Sequence, residues 1–226
     1  MAEFAAARER VLGAIGQAAA RVGRDPASIA LVAVSKTVPP HRLVAAVAAG
    51  LTTLGENRVQ EAESKVALVP GADWRLVGPL QSNKAKRALA AFSVIESVDT
   101  GELAGRLDRL APEVRPGERV PVLLQVNVDG DPAKAGFDPA GLQAALPSLM
   151  DLANLDIRGL MTVGRLVDRP EDARSTFVAL RGLSERLRRD GLGPELSMGM
   201  SDDYEIAIEE GATIVRVGRA LFGHRY

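Results

Sequence analysis

Cysteine is absent from the 226 residues. Disulfides, thiolate metal sites and cysteine nucleophiles are therefore excluded. Histidine is almost as scarce, with His41 and His224 the only two. A histidine-rich metal site is thus excluded, and a Ser-His-Asp arrangement would have to draw on one of these two. No run is long and apolar enough to span a membrane. The N-terminal MAEFAAARERVLGAIGQAAARVG carries charges throughout its apolar pattern and reads as an amphipathic helix, not a signal peptide. An excess of one charge is missing too. The formal net charge is −1 and the sequence pI about 6.2, with no acidic or basic tail. Nothing electrostatic points to nucleic acid or to an anionic membrane. The expectation is a cytoplasmic protein.

Lysine is the other scarce residue. Of 28 basic residues, five are lysines (Lys36, Lys65, Lys84, Lys86 and Lys134) and 23 are arginines. Codon bias explains much of that ratio. Lysine is nonetheless the one that can deprotonate and act as an amine nucleophile.

Apolar residues make up 46 % of the chain, enough for a sizeable core. After the first helix, short apolar or β-branched runs alternate with Ala/Leu-rich helical stretches. Eight runs read as strands: 30–36, 51–57, 74–80, 93–99, 120–128, 157–163, 195–201 and 213–218. Helical patterns separate them. Gly50 and Gly191 are expected to close two of these, Pro147 to break one, and Asp202 with Glu205 to cap another. Eight strand–helix units predict an α/β fold, a single (β/α)8 TIM barrel preceded by an N-terminal helix and forming one domain over residues 1–226. The alternative is an open doubly wound sheet, but no GxGxxG follows any strand.

In such barrels the chemistry sits at the C-terminal strand ends. Those ends supply Lys36; Glu56 and Asn57; Gly78 and Gln81; Asp99; Asn127; Thr162 and Gly164; Met200 and Ser201; Arg216, Gly218 and Arg219. Lys65, Lys84 and Lys86 fall in helical patterns and Lys134 in a loop, so Lys36 is the candidate amine. Partial burial would favour its neutral form, which can attack a carbonyl. Alternatively, it is a solvated strand-end lysine. Arg216 lies in the apolar TIVRVG and must point at a ligand or pair with a carboxylate such as Glu56 or Asp99. The loops after the seventh and eighth strands, MGMSDD and GRALFG, occupy the usual phosphate position of these barrels. There Ser201 offers a hydroxyl, or acts as a helix cap. Gly218 admits close backbone approach, and Arg219 adds charge. Asp202 and Asp203 are expected to turn away and cap their helix. An amine, a strand arginine and a phosphate cradle together match pyridoxal 5′-phosphate, which has an aldehyde, a ring nitrogen and a phosphate.

LVAVSKT, GENRVQEA, WRLVGPLQSNK, AKAGF, GLMTVG, LSMGMSDDYEIAI and VRVGRALFG run in order along nearly the whole chain. Together they resemble the pyridoxal-phosphate homeostasis proteins, and GPLQSNK with LSMGMSDD is the specific part. The resemblance implies a barrel like the N-terminal domain of alanine racemase. It implies an internal aldimine on Lys36, Asn57 beside the cofactor, Arg216 at the pyridine nitrogen, and Ser201 with the Gly218–Arg219 backbone at the phosphate. It further implies a monomer without catalytic or metal residues that holds the cofactor and delivers it, with apo pyridoxal enzymes as recipients. Arg58, Arg75 and Arg219 depart from the commonest family pattern, and the third replaces a hydroxyl that would contact phosphate. Eight residues follow Gly218 in this sequence, and the second β domain of the racemases is therefore not expected. The alternative is a small racemase or a Schiff-base aldolase, for which Tyr204 and Tyr226 are the only tyrosines. Lys134, in DPAKAGF, is a candidate second amine for a departing cofactor or an ordinary loop lysine.

Overall fold

A computed structural model describes residues 1–165 and 167–223. His224 and Tyr226, both weighed above, lie outside the described residues. Eight parallel strands close on themselves in sequence order, β1 to β8. They are β1 (Ala30–Val34), β2 (Thr53–Glu56), β3 (Asp73–Leu76), β4 (Val94–Val98), β5 (Val120–Gln125), β6 (Leu155–Met161), β7 (Glu195–Ser197) and β8 (Ile214–Val217). The expected barrel is borne out. Most strands stop a few residues before their apolar runs do, which leaves the polar ends as loops on one mouth.

The helices are α1 (Ala2–Arg21), α2 (Pro40–Ala48), α3 (Val59–Val66), α4 (Ala85–Ala91), α5 (Gly101–Val114), α6 (Pro139–Met150), α7 (Arg174–Leu187), α8 (Tyr204–Glu209) and α9 (Arg219–Phe222). Gly50 and Gly191 do follow helical turns, with φ of +88° and +92°. Pro147 does not break α6, which runs through it to Met150. Capping by Asp202 and Glu205 is not seen either: Asp203 occupies the N-cap position of α8, and its side chain makes no capping bond to the helix.

Two apolar layers result from the alternation of strand side chains. Residues such as Ala33, Leu54, Leu76, Ile95, Leu124 and Val215 face outward and pack under the helices. Val32, Val77, Leu123, Met161 and Ile214 face inward and fill the lumen. Each fully buried aliphatic side chain contributes about 1.5–3 kcal/mol. In α1, the spacing of Phe4, Ala7, Val11, Ile15, Ala18 and Ala19 gives one buried stripe. Phe4 meets the Phe222 ring edge-on at 5.8 Å, so α1 closes over the last helix of the barrel.

Ion pairs fix the other end of α1. Arg21 bonds Glu205 and Glu209 of α8, and Arg174 of α7 bonds Glu209 and Glu210. Hydrogen bonds from Arg174 and Arg21, against a smaller cost of burial, hold the Glu209 carboxyl below its ordinary value. A depressed acid stabilises the fold above its unfolded value near 4.5 and loses that contribution as pH falls through its folded value. The melting-temperature gap between wild type and Glu209→Gln is therefore expected to be widest at neutral pH and to close as pH drops below about 4. A gap independent of pH would assign the effect to packing.

Candidate functional site

Lys36 lies two residues beyond the end of β1, at the C-terminal mouth. Strand alternation continues past Val34: Ser35 is buried on the helix side, and Lys36 is exposed at the rim. The expected partial burial among apolar walls is not found, because the strand ends before it reaches the lysine. The turn that follows is short. Thr37 takes a left-handed φ of +64°, and Pro39 and Pro40 occupy the N-cap and first helical positions of α2. A left-handed threonine costs about 1–2 kcal/mol, so the surrounding contacts must hold it.

Arg216 is a lumen residue, 3 % exposed. The carboxylate partners expected for it, Glu56 and Asp99, are not the ones it has. Its guanidinium donates to Ser197 Oγ at 2.6 Å and to the Thr162 carbonyl at 2.7 Å. Ser197 in turn donates to Glu96 Oε2 at 2.6 Å, and Arg75 reaches Glu96 Oε1 at 3.4 Å. A polar thread, Arg75–Glu96–Ser197–Arg216, thus crosses the lumen. Burial lowers the Arg216 guanidinium from its ordinary value, and the charges of Glu96 and Asp203 oppose that shift.

The loops after β7 and β8 meet directly. Ser201 Oγ accepts the Gly218 N–H at 3.1 Å, so Ser201 is not a cap of its own helix. That bond leaves the hydroxyl hydrogen free to donate. Asp202 and Arg219 form an exposed ion pair. Asp203 is buried and accepts the Met200 N–H at 2.6 Å, tightening the turn before α8. Burial raises the Asp203 carboxyl, while the Met200 bond and Arg216 draw it down.

Asn57 stands half-buried at the end of β2. The backbone just past β3 presses on it, since a Cβ at Gly78 would lie 2.5 Å from the Asn57 carbonyl oxygen and 2.6 Å from its Cα. Asn127 shapes the loop after β5, donating to the Asp131 and Lys134 carbonyls. This loop carries Lys134 to the end of β6, where its amine donates to the Val163 carbonyl at 3.2 Å.

Two clusters were not legible in the strand-end list. Lys65, read as a helix-face residue, is 4 % exposed and joins Glu56, Glu61 and Ser35 beneath the Lys36 turn. Its position six residues after buried Val59 and three after buried Ala62 was the available signal. Glu96 sits mid-strand in SVIESVD, as Arg216 does in TIVRVG, and the same burial argument would have found it.

Fold and site together define a barrel of the alanine racemase N-terminal-domain class, and that family model matches residues 15–226. Alanine racemase of Clostridium difficile, at 17 % identity, shares the fold with a TM-score of 0.73 over 95 % of this chain and 56 % of its own. More similar is the Pyridoxal phosphate homeostasis protein of Aquifex aeolicus, 40 % identical over 220 residues and 96 % of each chain. Its namesake in Pseudomonas aeruginosa is 43 % identical over 219 residues, 96 % of this chain and 93 % of its own. The chain belongs to the pyridoxal phosphate homeostasis protein family. Among solved structures, PipY of Synechococcus elongatus PCC7942 with PLP bound has a TM-score of 0.81 and 43 % identity, covering 92 % of this chain and 100 % of its own.

The close approach at Asn57 gives a contrast between two glycines. Gly78→Ala is expected to lower stability by about 2 kcal/mol, because backbone must move at the site. Gly105→Ala, mid-helix in α5 with only the flexible tip of Arg109 nearby at 3.4 Å, is expected to change stability little or raise it. Urea denaturation compares them; equal effects would remove the special role of the β2–β3 approach.

Proposed function

We propose that this chain holds pyridoxal 5′-phosphate at the C-terminal mouth of its barrel, attached through Lys36, and hands it to apo pyridoxal enzymes without turning over a substrate. The observation that carries this reading is the seam between β1 and β8. Val32 pairs with Arg216 there, so the strand leading to Lys36 runs beside the strand leading to Gly218, whose amide meets Ser201. The name shared by the Aquifex and Pseudomonas relatives, and the PLP in the PipY structure, support the same reading.

The donor set fits the cofactor. When bound, the cofactor supplies an aldehyde, at which a neutral amine forms a C=N bond with release of water. Lys36 would provide the side-chain nitrogen for that bond from an exposed rim position, open to loading and exchange. Arg216 would present N–H donors toward a ring nitrogen, and a guanidinium does not give up its proton. A ring nitrogen so faced stays unprotonated, which favours retention over electron withdrawal. Ser201 would give its free hydroxyl hydrogen to phosphate, beside the backbone at Gly218 and Arg219. The Arg219 side chain is engaged by Asp202, so its contribution would come from the amide. Asn57 would stand beside the ring at the end of β2.

Borohydride treatment of the loaded protein is expected to fix the cofactor on Lys36, and Lys36→Ala to abolish the fixation. Peptide mass mapping checks both, and fixation retained in the variant would remove Lys36 from the site. Incubated with either alanine enantiomer in deuterated water, the loaded protein is expected to leave the α-proton in place. Steady exchange at enzymatic rates would replace carriage with racemisation.

A further inference from the structure

Lys65 has an ammonium with three donors, and all three are used. It donates to Glu56 Oε1 at 2.6 Å, to Glu61 Oε1 at 2.7 Å and to the Ser35 carbonyl at 3.0 Å. The cluster is expensive. Glu56 is fully buried, and its second oxygen, Oε2, has no hydrogen-bond partner. Burial raises the Glu56 carboxyl, with bonds from Lys65 and Ser35 opposing. An apolar trio would serve stability as well or better, since the desolvation of a buried ion pair offsets much of its attraction. Something other than stability is needed to account for charge here.

The partners of the cluster supply it. The Ser35 carbonyl belongs to the peptide unit before Lys36, and the Thr37 N–H to the unit after it. Lys65 holds the first, and Glu61 Oε1 accepts from the second. Ser35 Oγ adds a bond to Glu56 Oε1 at 2.7 Å. Peptide units are planar, so fixing the unit on each side of a Cα fixes the direction of its Cα–Cβ bond. The same Glu61 bond restrains Thr37 in its left-handed conformation. The exposed Lys36 side chain therefore leaves from a backbone that is clamped from behind.

We infer that Lys65, Glu56 and Glu61 are positioning residues that aim the Lys36 amine into the barrel mouth. Lys65 and Glu61 touch the backbone flanking Lys36, and Glu56 acts one step back, through the Lys65 amine and the Ser35 hydroxyl. The inference rests on the proposed role of Lys36 as the cofactor's amine.

Glu61 is the residue to change, because its side chain is 23 % exposed and its loss leaves the Lys65–Glu56 pair in place. Two quantities are measured on the full chain. One is the rate at which pyridoxal 5′-phosphate becomes fixed to Lys36, from timed borohydride quenching and peptide mass. The other is the affinity for pyridoxine 5′-phosphate, which carries an alcohol in place of the aldehyde and cannot be captured. For Glu61→Ala the capture rate is expected to fall about tenfold while affinity for the alcohol stays within about twofold, with Glu61→Gln in between. Capture at the wild-type rate overturns the inference. So does an affinity for the alcohol that falls in step with the rate, since that is general loosening of the site. If Glu61→Ala does not fold, Glu61→Gln decides by the same two outcomes. Wild-type protein fixed at a lysine other than Lys36, or at none, sinks the cofactor reading and this inference with it.

Discussion

The pairing of the first strand with the last is the constraint on which the rest of the molecule depends. Ala30, Leu31, Val32 and Ala33 lie in register with Ile214, Val215, Arg216 and Val217. A parallel sheet left open at this point would expose two edges and an apolar lumen. Closed, it brings residues 184 positions apart in the chain onto one seam. The turn after β1 and the loop after β8 then share a mouth. Neither the amine nor the hydroxyl–amide pair of Ser201 and Gly218 would mean much alone; the register makes them neighbours. The N-terminal helix α1 is held to the last helix by Phe4 and Phe222, and to α8 by Arg21.

Charge inside the barrel follows from the same closure. A guanidinium on an inward position of β8 cannot reach water, so the lumen must solvate it. It does so with a neutral hydroxyl and a carbonyl, Ser197 and Thr162, and keeps the carboxylate of Glu96 one step away. A direct buried ion pair would hold Arg216 more tightly and leave fewer donors for anything arriving from the mouth. The graded arrangement keeps the cation fixed in place with its charge only partly offset. Arg75 completes the chain of contacts from the far side of Glu96.

How much of this could be read beforehand depended on where the decisive partners lie. Strand count, helix alternation and the place of Lys36 just past the first strand were legible, because each rests on local periodicity in LVAVSKT, VPVLLQVNV and their like. The partners of Arg216 were not. Glu56 and Asp99 sit at strand ends in the sequence, but alternation turns Glu56 outward to Lys65, and Glu96, mid-strand, is the inward carboxylate. Lys65 was passed over for the opposite reason: a lone lysine on an amphipathic helix is ordinarily solvated, and only the third dimension places two glutamates and a carbonyl around it. Pro147 was a local signal that α6 runs through, and the Asp202–Glu205 spacing one that tertiary contacts overrode. Arg219 claims Asp202, and Arg21 claims Glu205.

The site therefore combines a restrained backbone with an exposed functional group. Lys36 itself is open to solvent, whereas Ser35 is fully buried and Thr37 is tied to α3. For a protein proposed to take up and release the same molecule, the combination has a physical rationale. Restraint reduces the orientational entropy lost on each capture, so attachment does not depend on a closing element that would then have to reopen. Exposure keeps water, and a competing amine from a recipient, within reach of the bond that must break. An enzyme with the same lysine would need the reverse: a closed, dry pocket, and an acid or base held within hydrogen-bond reach of the reacting carbon. Retention with ready exchange needs only that the amine be aimed and left accessible.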